Sequence, residues 1–508
     1  MSARPLVAGS LCVGFLLGLP GRALSEGRAA AVDELPPAAL ASNHAVAPDV
    51  RSPEFPYLLV DPLRSRPRVL DAGASLPRDA VPIACPASVD VSHPLTLIEV
   101  VDLTLCANPQ IQAAWAAVKV GAAGVGEARS AWLPTANATV TQQTTRTDSP
   151  GFPQANTKDS GHTVYASLTW RLMDFGARSA GDEAAARTLQ AALASHDAAL
   201  QRALSGVVQA YFDALTARAG AQVRHDATRL AQLTFEATQR REHSGASPVG
   251  DTLQAKAALA KARLAEQRAT GDYRKALSVL MYAAGLNPEL PLQLAQEGEA
   301  PNELTVADLQ DWLTKAAASH PAILAAKAQL HSAEANVEAV RAQGMPSLDF
   351  TSNYYQNGYP NQGLQPTRSA TTTIGLTLTI PLFDGFSRTY QVRRAQAEVE
   401  QGRAQLQDVR LQTLTTVVRD HADAVAALGN LASTSDWLTA ATDAVASARR
   451  RYDMGAGDVL ELLTAESALG DAQLERAKCV SEWRVARLKL SADAGRLGLS
   501  ELAQAAAR

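Results

Sequence analysis

The apolar positions of this chain follow a helical period, then an alternating one, then a helical one again, and the succession occurs twice. In the first half Val164, Ala166, Leu168, Trp170 and Leu172 alternate with mostly polar neighbours such as Thr163, Ser167, Thr169 and Arg171. In the second, Ile374, Leu376, Leu378, Ile380 and Leu382 alternate with Thr373, Gly375, Thr377 and Thr379. A period of two marks a strand with one apolar face. Weaker alternation over residues 134–145 and 346–356 predicts the partner strands. Polar stretches rich in Gly, Pro, Asn and Gln, 148–161 and 357–370, predict long hairpin loops. About ten alternating residues is what a tilted strand needs to cross a bilayer. Trp170 then falls near an interface, where amphipathic rings are favoured. A soluble hairpin packed on helices is the competing reading. The threonine-rich polar face suits a water-filled lumen better than a second buried layer.

The helical stretches are long. From 177 to about 242 no proline interrupts a run of Ala, Leu, Arg and Gln, which as a helix extends about 100 Å. A shorter helix returns over 251–286, and a helix of about 25 residues precedes the strands. The two short helices together nearly match the long one, so they are expected to stack end to end beside it. The second half repeats the relation, with 388–452 as the long helix and 320–344 and 461–496 as the short ones. Seams such as Ala184-Ala185-Ala186 permit close helix approach.

These correspondences amount to an internal duplication, which takes precedence over any other reading of the fold. Asn108-Pro109 returns as His320-Pro321, and Trp132-Leu133-Pro134 as Gly344-Met345-Pro346, both displaced by 212 positions. Leu172-Met173-Asp174-Phe175-Gly176-Ala177-Arg178 returns as Leu382-Phe383-Asp384-Gly385-Phe386-Ser387-Arg388, and Gly245-Ala246 as Gly455-Ala456, displaced by 210. The expected organisation is a signal peptide (1–25), a Pro/Ala-rich arm (26–94), repeat one (95–286), a linker (287–303), repeat two (304–497) and a tail (498–508). The fold class is an α+β membrane protein. Four strands cannot close a cylinder, and an open edge in hydrocarbon leaves backbone groups unsatisfied. Two copies give a filled bore, whereas three give twelve strands and an aqueous lumen. The expectation is a homotrimer with a shared 12-stranded barrel continued by an α-helical tunnel.

The start of the chain adds a compartment. Arg4 precedes an apolar run from Leu6 to Leu19, closed by Pro20-Gly21-Arg22 and the small residues Ala23 and Ser25, the pattern of a cleaved export signal. Cys12 lies inside the apolar run, a poor site for acylation. Ten prolines between 26 and 93 mark an extended arm. Cleavage would leave Cys85, Cys106 and Cys479 in an oxidising compartment. Cys85 with Cys106 is the natural disulfide, two separate buried thiols the alternative. Cys479 falls in a helix and is expected to be packed.

Charge and motifs exclude other classes. With 47 basic against 51 acidic residues the net charge is -4, so no basic footprint for nucleic acid exists. The nine histidines show no metal-ligand spacing, and GxSxG, GxxxxGK[ST] and GxGxxG are missing. Neither a catalytic site, nor a metal, nor a cofactor is expected. A periplasmic coiled-coil adaptor would account for the helices but not for four strands of bilayer length.

Over both repeats the chain resembles the TolC family of outer-membrane factors. The resemblance rests on the duplicated Asn/His-Pro helix start, the Leu-Pro or Met-Pro before the first strand, the Asp-Phe-Gly or Asp-Gly-Phe exit from the second, and the Gly-led turn at each helical tip. Leu95-Thr96-Leu97-Ile98-Glu99-Val100-Val101, leading to Asn108-Pro109, is similar to members serving type I protein secretion. The resemblance implies an outer-membrane conduit with its helices in the periplasm. Its partners would be a periplasmic membrane-fusion adaptor, an inner-membrane ABC exporter, a secreted protein cargo such as a toxin, and outer-membrane lipid; small-molecule efflux is the alternative cargo class. It places adaptor docking at the tip turns Gly245, Ala246, Gly455 and Ala456. A periplasmic gate would hold a hydrogen bond between Asp251 and Tyr452, with Glu461 in an acid ring favouring cations and Asp458 as an additional acid. The family's gate arginine falls on Gly457, and the usual companion of Glu461 is replaced by Thr464. Asp251 equally fits an acid at the start of the returning helix.

Overall fold

The computed structural model describes residues 93–148, 157–295, 308–358 and 369–493, with the isolated positions 63, 150 and 151. The expected signal peptide, most of the arm, the second half of the linker and the tail lie outside the described residues.

Each half begins with a short helix that the hydrophobic period did not separate from the next one. Helix α1 (Leu97–Ala107) opens with a capping box in which Thr96 and Glu99 satisfy each other's backbone donors. Asn108 then ends α1 and caps α2 (Pro109–Ser130), with Pro109 at its first position. In the second half α5 (Leu309–Ser319) is capped by Asp308, and α6 (Pro321–Ala342) by His320 followed by Pro321. Helices α2 and α6 both have 22 residues. The long helices α3 (Ala177–His243) and α7 (Ser387–Asp453) both have 67, and the returning helices α4 (Val249–Ala284) and α8 (Val459–Asp493) have 36 and 35.

Strands β1 (Thr135–Thr147), β2 (Thr157–Met173), β3 (Ser347–Asn357) and β4 (Ser369–Thr379) form one antiparallel sheet in chain order, with β1 and β4 at its edges. The first hairpin is longer than its hydrophobic pattern predicted. The end of the stretch read as loop, residues 157–161, belongs to β2, since Gly161 pairs with Gln143 and Thr157 with Thr147. Ladder bonds need no apolar side chains, so a polar strand beyond the alternating segment was invisible to the period. β4 also starts early, at Ser369, but stops short at Thr379, two residues before Pro381, which has no N–H to donate.

The register sorts every side chain to one of two faces. Ala138, Ala166 and Tyr354 lie across from one another, as do Trp170, Phe350 and Leu376, with Leu348 beside Leu378. The opposite face carries Thr139, Tyr165 and Tyr355, then Thr169, Thr351 and Gly375. On it Arg171 pairs with Asp349 at 2.9 Å, and the Tyr165 hydroxyl donates to Asn353 at 2.9 Å. The apolar face is uncovered, with Ile374 68% and Leu376 64% exposed.

The strand exits are built alike. The Asp174 carboxylate accepts from the Arg178 backbone N–H at 3.0 Å and from its guanidinium at 2.7 Å, and Arg178 also binds the Arg171 carbonyl. Asp384 accepts the Arg388 N–H at 3.0 Å. Both turns need two successive residues of positive φ, and the glycine serves one position in each: Phe175 and Gly176 have φ 51° and 103°, Gly385 and Phe386 67° and 65°.

Across the helical layer, α3 packs on α2 and α4, and α6 and α8 pack on both α3 and α7. The order is therefore α2 with α4, then α3, then α6 with α8, then α7. In the first half the short helices stack end to end as expected, because the start of α2 touches the end of α4: Asn108 Nδ2 donates to the Ala283 carbonyl at 2.8 Å. The main core lies at that junction, where Val100 and Val101 meet Val207, Tyr211, Leu280 and Leu488. Elsewhere the seams are thin and alanine-rich; Cys479 is buried in one, against Ala424 and Ala427. The linker starts ordered, with Leu95 and Leu294 in a β-bridge and Arg218 bound to the Leu294 carbonyl. No described helix is long and apolar enough to cross a membrane.

Candidate functional site: the paired helical tips

The two tips farthest from the sheet are the same turn made twice. At the first, Ala246 N–H reaches the Arg241 carbonyl at 2.8 Å and Gly245 N–H the Glu242 carbonyl at 2.9 Å; at the second, Ala456 reaches Arg451 at 2.9 Å and Gly455 reaches Tyr452 at 3.0 Å. These are Schellman motifs, and their left-handed residue is the glycine, φ 77° at Gly245 and 76° at Gly455.

Beyond these turns the two hairpins diverge. Pro248 precedes α4 and offers no side-chain cap, so the acid at the helix start is Asp251, in its first turn, where negative charge is favoured. The Asp251 carboxylate accepts from the Ser247 hydroxyl. In the second hairpin Asp458 immediately precedes α8, and its side chain accepts the Leu460 N–H at 3.3 Å. Glu461, in the first turn of α8, is paired with Arg451 at 2.7 Å, on the exposed rim of the tip. Its charge is therefore half-neutralised within its own hairpin.

Tyr452 is buried, only 4% exposed, and its hydroxyl has no hydrogen-bond partner among the described residues. Burial, the largest cause, raises the Tyr452 pKa against the lowering effect of the Arg241 charge, and the nearby charges of Asp251 and Asp453 add to the rise. No hydrogen bond joins the Tyr452 hydroxyl to Asp251. Instead Arg241 of α3 crosses to the second hairpin. Its guanidinium lies 4.8 Å over the Tyr452 ring and donates to the Tyr452 carbonyl. Gly457, which stands at the position of the family's gate arginine, has no room to spare: a Cβ there would sit 3.0 Å from the Tyr452 nitrogen and 3.1 Å from Arg451 atoms. Arg241 escaped the sequence reading because the motif pointed to the turn after the second glycine. The basic pair Arg240-Arg241 ending α3 was the available signal.

Behind the tips, Glu466 of α8 accepts from the Thr234 hydroxyl of α3 at 2.8 Å. Burial among α3, α7 and α8 pushes its carboxyl up to about 7, against the smaller lowering effects of Thr234 and Arg449. Cys106 is disulfide-bonded, and Cys85, its expected partner, lies outside the described residues. No cluster of metal-binding side chains occurs among the described residues.

The profile of the family described as outer membrane efflux protein matches residues 100–286 and 312–496, one match to each half. The chain belongs to this family of TolC-type outer-membrane channels. Such channels lie in the outer membrane with their helices in the periplasm, and so does this chain. Among relatives of the family, Protein CyaE of Bordetella pertussis is 37% identical over 423 residues, 83% of this chain and 89% of that protein. Alkaline protease secretion protein AprF of Pseudomonas aeruginosa is 27% identical, covering 81% and 87%. The CmeC outer membrane channel of Campylobacter jejuni superposes with a TM-score of 0.69 at 17% identity, covering 80% of this chain and 88% of that one, which establishes the shared fold.

Proposed function

We propose that three copies of this chain form the outer-membrane conduit of a type I secretion system. The observation that carries it is the sheet: one face apolar and uncovered, the other threonine-rich and polar, with β1 and β4 as free edges. In lipid those edges must pair, and β4 of one copy meeting β1 of the next makes a heterologous, ring-closing contact. The helical layer has unlike edges too, α7 on one side and α2 with α4 on the other. Three copies give twelve strands around a water-filled lumen, continued by a helical tunnel to the tips. Asp251, Tyr452, Asp458 and Glu461 bound the periplasmic mouth, and Gly245, Ala246, Gly455 and Ala456 face the adaptor. A cleaved signal over residues 1–25 delivers the chain, and a Cys85–Cys106 disulfide fastens the arm.

The cargo is a protein passed on by an inner-membrane ABC exporter and its adaptor. Identity to CyaE, and to a protease secretion protein over most of the chain, supports this. Efflux, the word in the family's description, with small molecules as the cargo, is the other reading. The test is deletion of the gene in its host. Loss of a secreted protein from the medium with drug sensitivity unchanged supports protein export; the reverse assigns efflux. Heat-modifiable trimer bands in the outer-membrane fraction test the assembly.

A further inference from the structure

Aligning the repeats by their 210-residue displacement sets the two tips side by side. Arg241 corresponds to Arg451, Asp251 to Glu461, and Ser247 to Gly457. The equivalent arginines nonetheless choose different partners. Arg451 turns back along its own hairpin to Glu461 at 2.7 Å. Arg241 leaves its hairpin for the ring and carbonyl of Tyr452. The difference lies in the acid. Asp251 is occupied by the Ser247 hydroxyl, whereas Gly457 has no side chain to offer Glu461, whose partner among the described residues is Arg451.

We propose that Arg241 is the clasp that holds the tip of α3 and α4 to the tip of α7 and α8, and that Ser247 keeps it available by occupying Asp251. Arg241 belongs to the Schellman turn of its own tip through its carbonyl, which accepts Ala246 N–H, and it grips the Schellman turn of the other at the Tyr452 carbonyl, which also accepts Gly455 N–H. The Arg241 guanidinium lies against this turn, 3.5 Å from where a Cβ at Gly455 would sit, an ordinary van der Waals distance. A planar fork that can stack and donate at once suits this place, and a lysine does not. Farther from the tip, α3 meets the second hairpin through Thr234 with Glu466 at 2.8 Å and Arg224 with Asp471 at 3.4 Å, whereas at the tip itself the cross-hairpin hydrogen bond among the described residues is that of Arg241. Arg241 therefore sets the separation of the tips and, if the chain is a conduit, the width of the periplasmic mouth.

The experiment measures the tip separation directly. Nitroxide labels are placed on Ala246→Cys and Ala456→Cys in the purified full chain, diluted with unlabelled protein, and the distance is read by pulsed electron paramagnetic resonance. The background protein should give one narrow distribution. Arg241→Ala should widen it. Ser247→Gly should do the same without touching the arginine, since Asp251 then recaptures Arg241. Adding Asp251→Asn to Ser247→Gly should restore the narrow distribution, which no general loss of helix stability would do. Tyr452→Phe should change nothing, because the clasp uses the ring face and the carbonyl. An unchanged distance in Arg241→Ala, or a failure of the double variant to restore it, overturns the proposal. Conductance in planar bilayers separates the two readings: widened tips without any channel leave the clasp standing and sink the conduit, and channels with unmoved tips do the opposite.

Discussion

Asn108 joins the ends of two helices with one buried amide: Nδ2 donates to the Ala283 carbonyl in the last turn of α4, while Oδ1 accepts from Gln110 and Ile111 at the start of α2. Asn108→Ala removes a cap and a tertiary bond together and should cost about 1–3 kcal/mol. The side chain of His320, its counterpart, accepts only from Ala322 among the described bonds. His320→Ala should cost about 1 kcal/mol or less. Melting followed by far-ultraviolet circular dichroism in detergent ranks the two, and equal losses would contradict the ranking.

Glycines of similar φ should tolerate alanine differently. Gly285 (φ 72°) faces the α1–α2 junction, where a Cβ would fall 2.7 Å from the Ala107 carbonyl oxygen. Gly245 (φ 77°) has nothing within 4 Å. Gly245→Ala carries the left-handed penalty alone, about 1 kcal/mol. Gly285→Ala adds a backbone clash in the main core and should lower the melting temperature several-fold more.

Neighbouring residues on β4 face opposite ways, so one substitution tests both faces. Leu376→Arg puts a charge on the apolar face, where lipid burial costs about 2–4 kcal/mol at the bilayer midplane. It should abolish recovery of heat-modifiable trimers from the outer-membrane fraction. Thr377→Arg, on the polar face beside Asp349, should leave trimers intact and shift the channel's anion-to-cation permeability. Equal tolerance at both positions would show that the apolar face is not in lipid.

Glu466 gives stability a pH dependence of definite sign. Its folded carboxyl titrates at about 7, against 4.5 when free. The folded state thus binds the proton more tightly, and the protonated group's contribution is complete below about 4.5 and lost as pH rises through about 7. Melting temperature should fall across that window and level off above it. In Glu466→Gln, which keeps the Thr234 contact and has no charge to bury, this component of the slope should vanish. Parallel profiles for the two proteins would refute the assignment.

The parts legible in the sequence were those that physics repeats. Alternation from Ile374 to Leu378 located a strand because the pleat sends its apolar and polar residues to opposite faces, and Gly245 and Gly455 marked the tips because only glycine accepts the left-handed turn cheaply. Helices α1 and α5 went unseen, since their boundaries are set by caps at Asn108 and His320 that leave the helical period almost undisturbed. The polar start of β2 was lost because ladder hydrogen bonds leave no trace in side-chain polarity. Arg241 was missed for a different reason: its partner lies 211 positions away, and what frees it is a serine hydroxyl engaged elsewhere.

Helices α3 and α7 have the same number of residues, 67. One residue inserted into either would advance its tip by about 1.5 Å and rotate it by about 100°. The clasp and the seams beside it would then fall out of step with the unaltered half. Changes in reach are thus confined to paired insertions of whole turns, made in both halves at once, so this architecture should vary in length by discrete increments across its lineage.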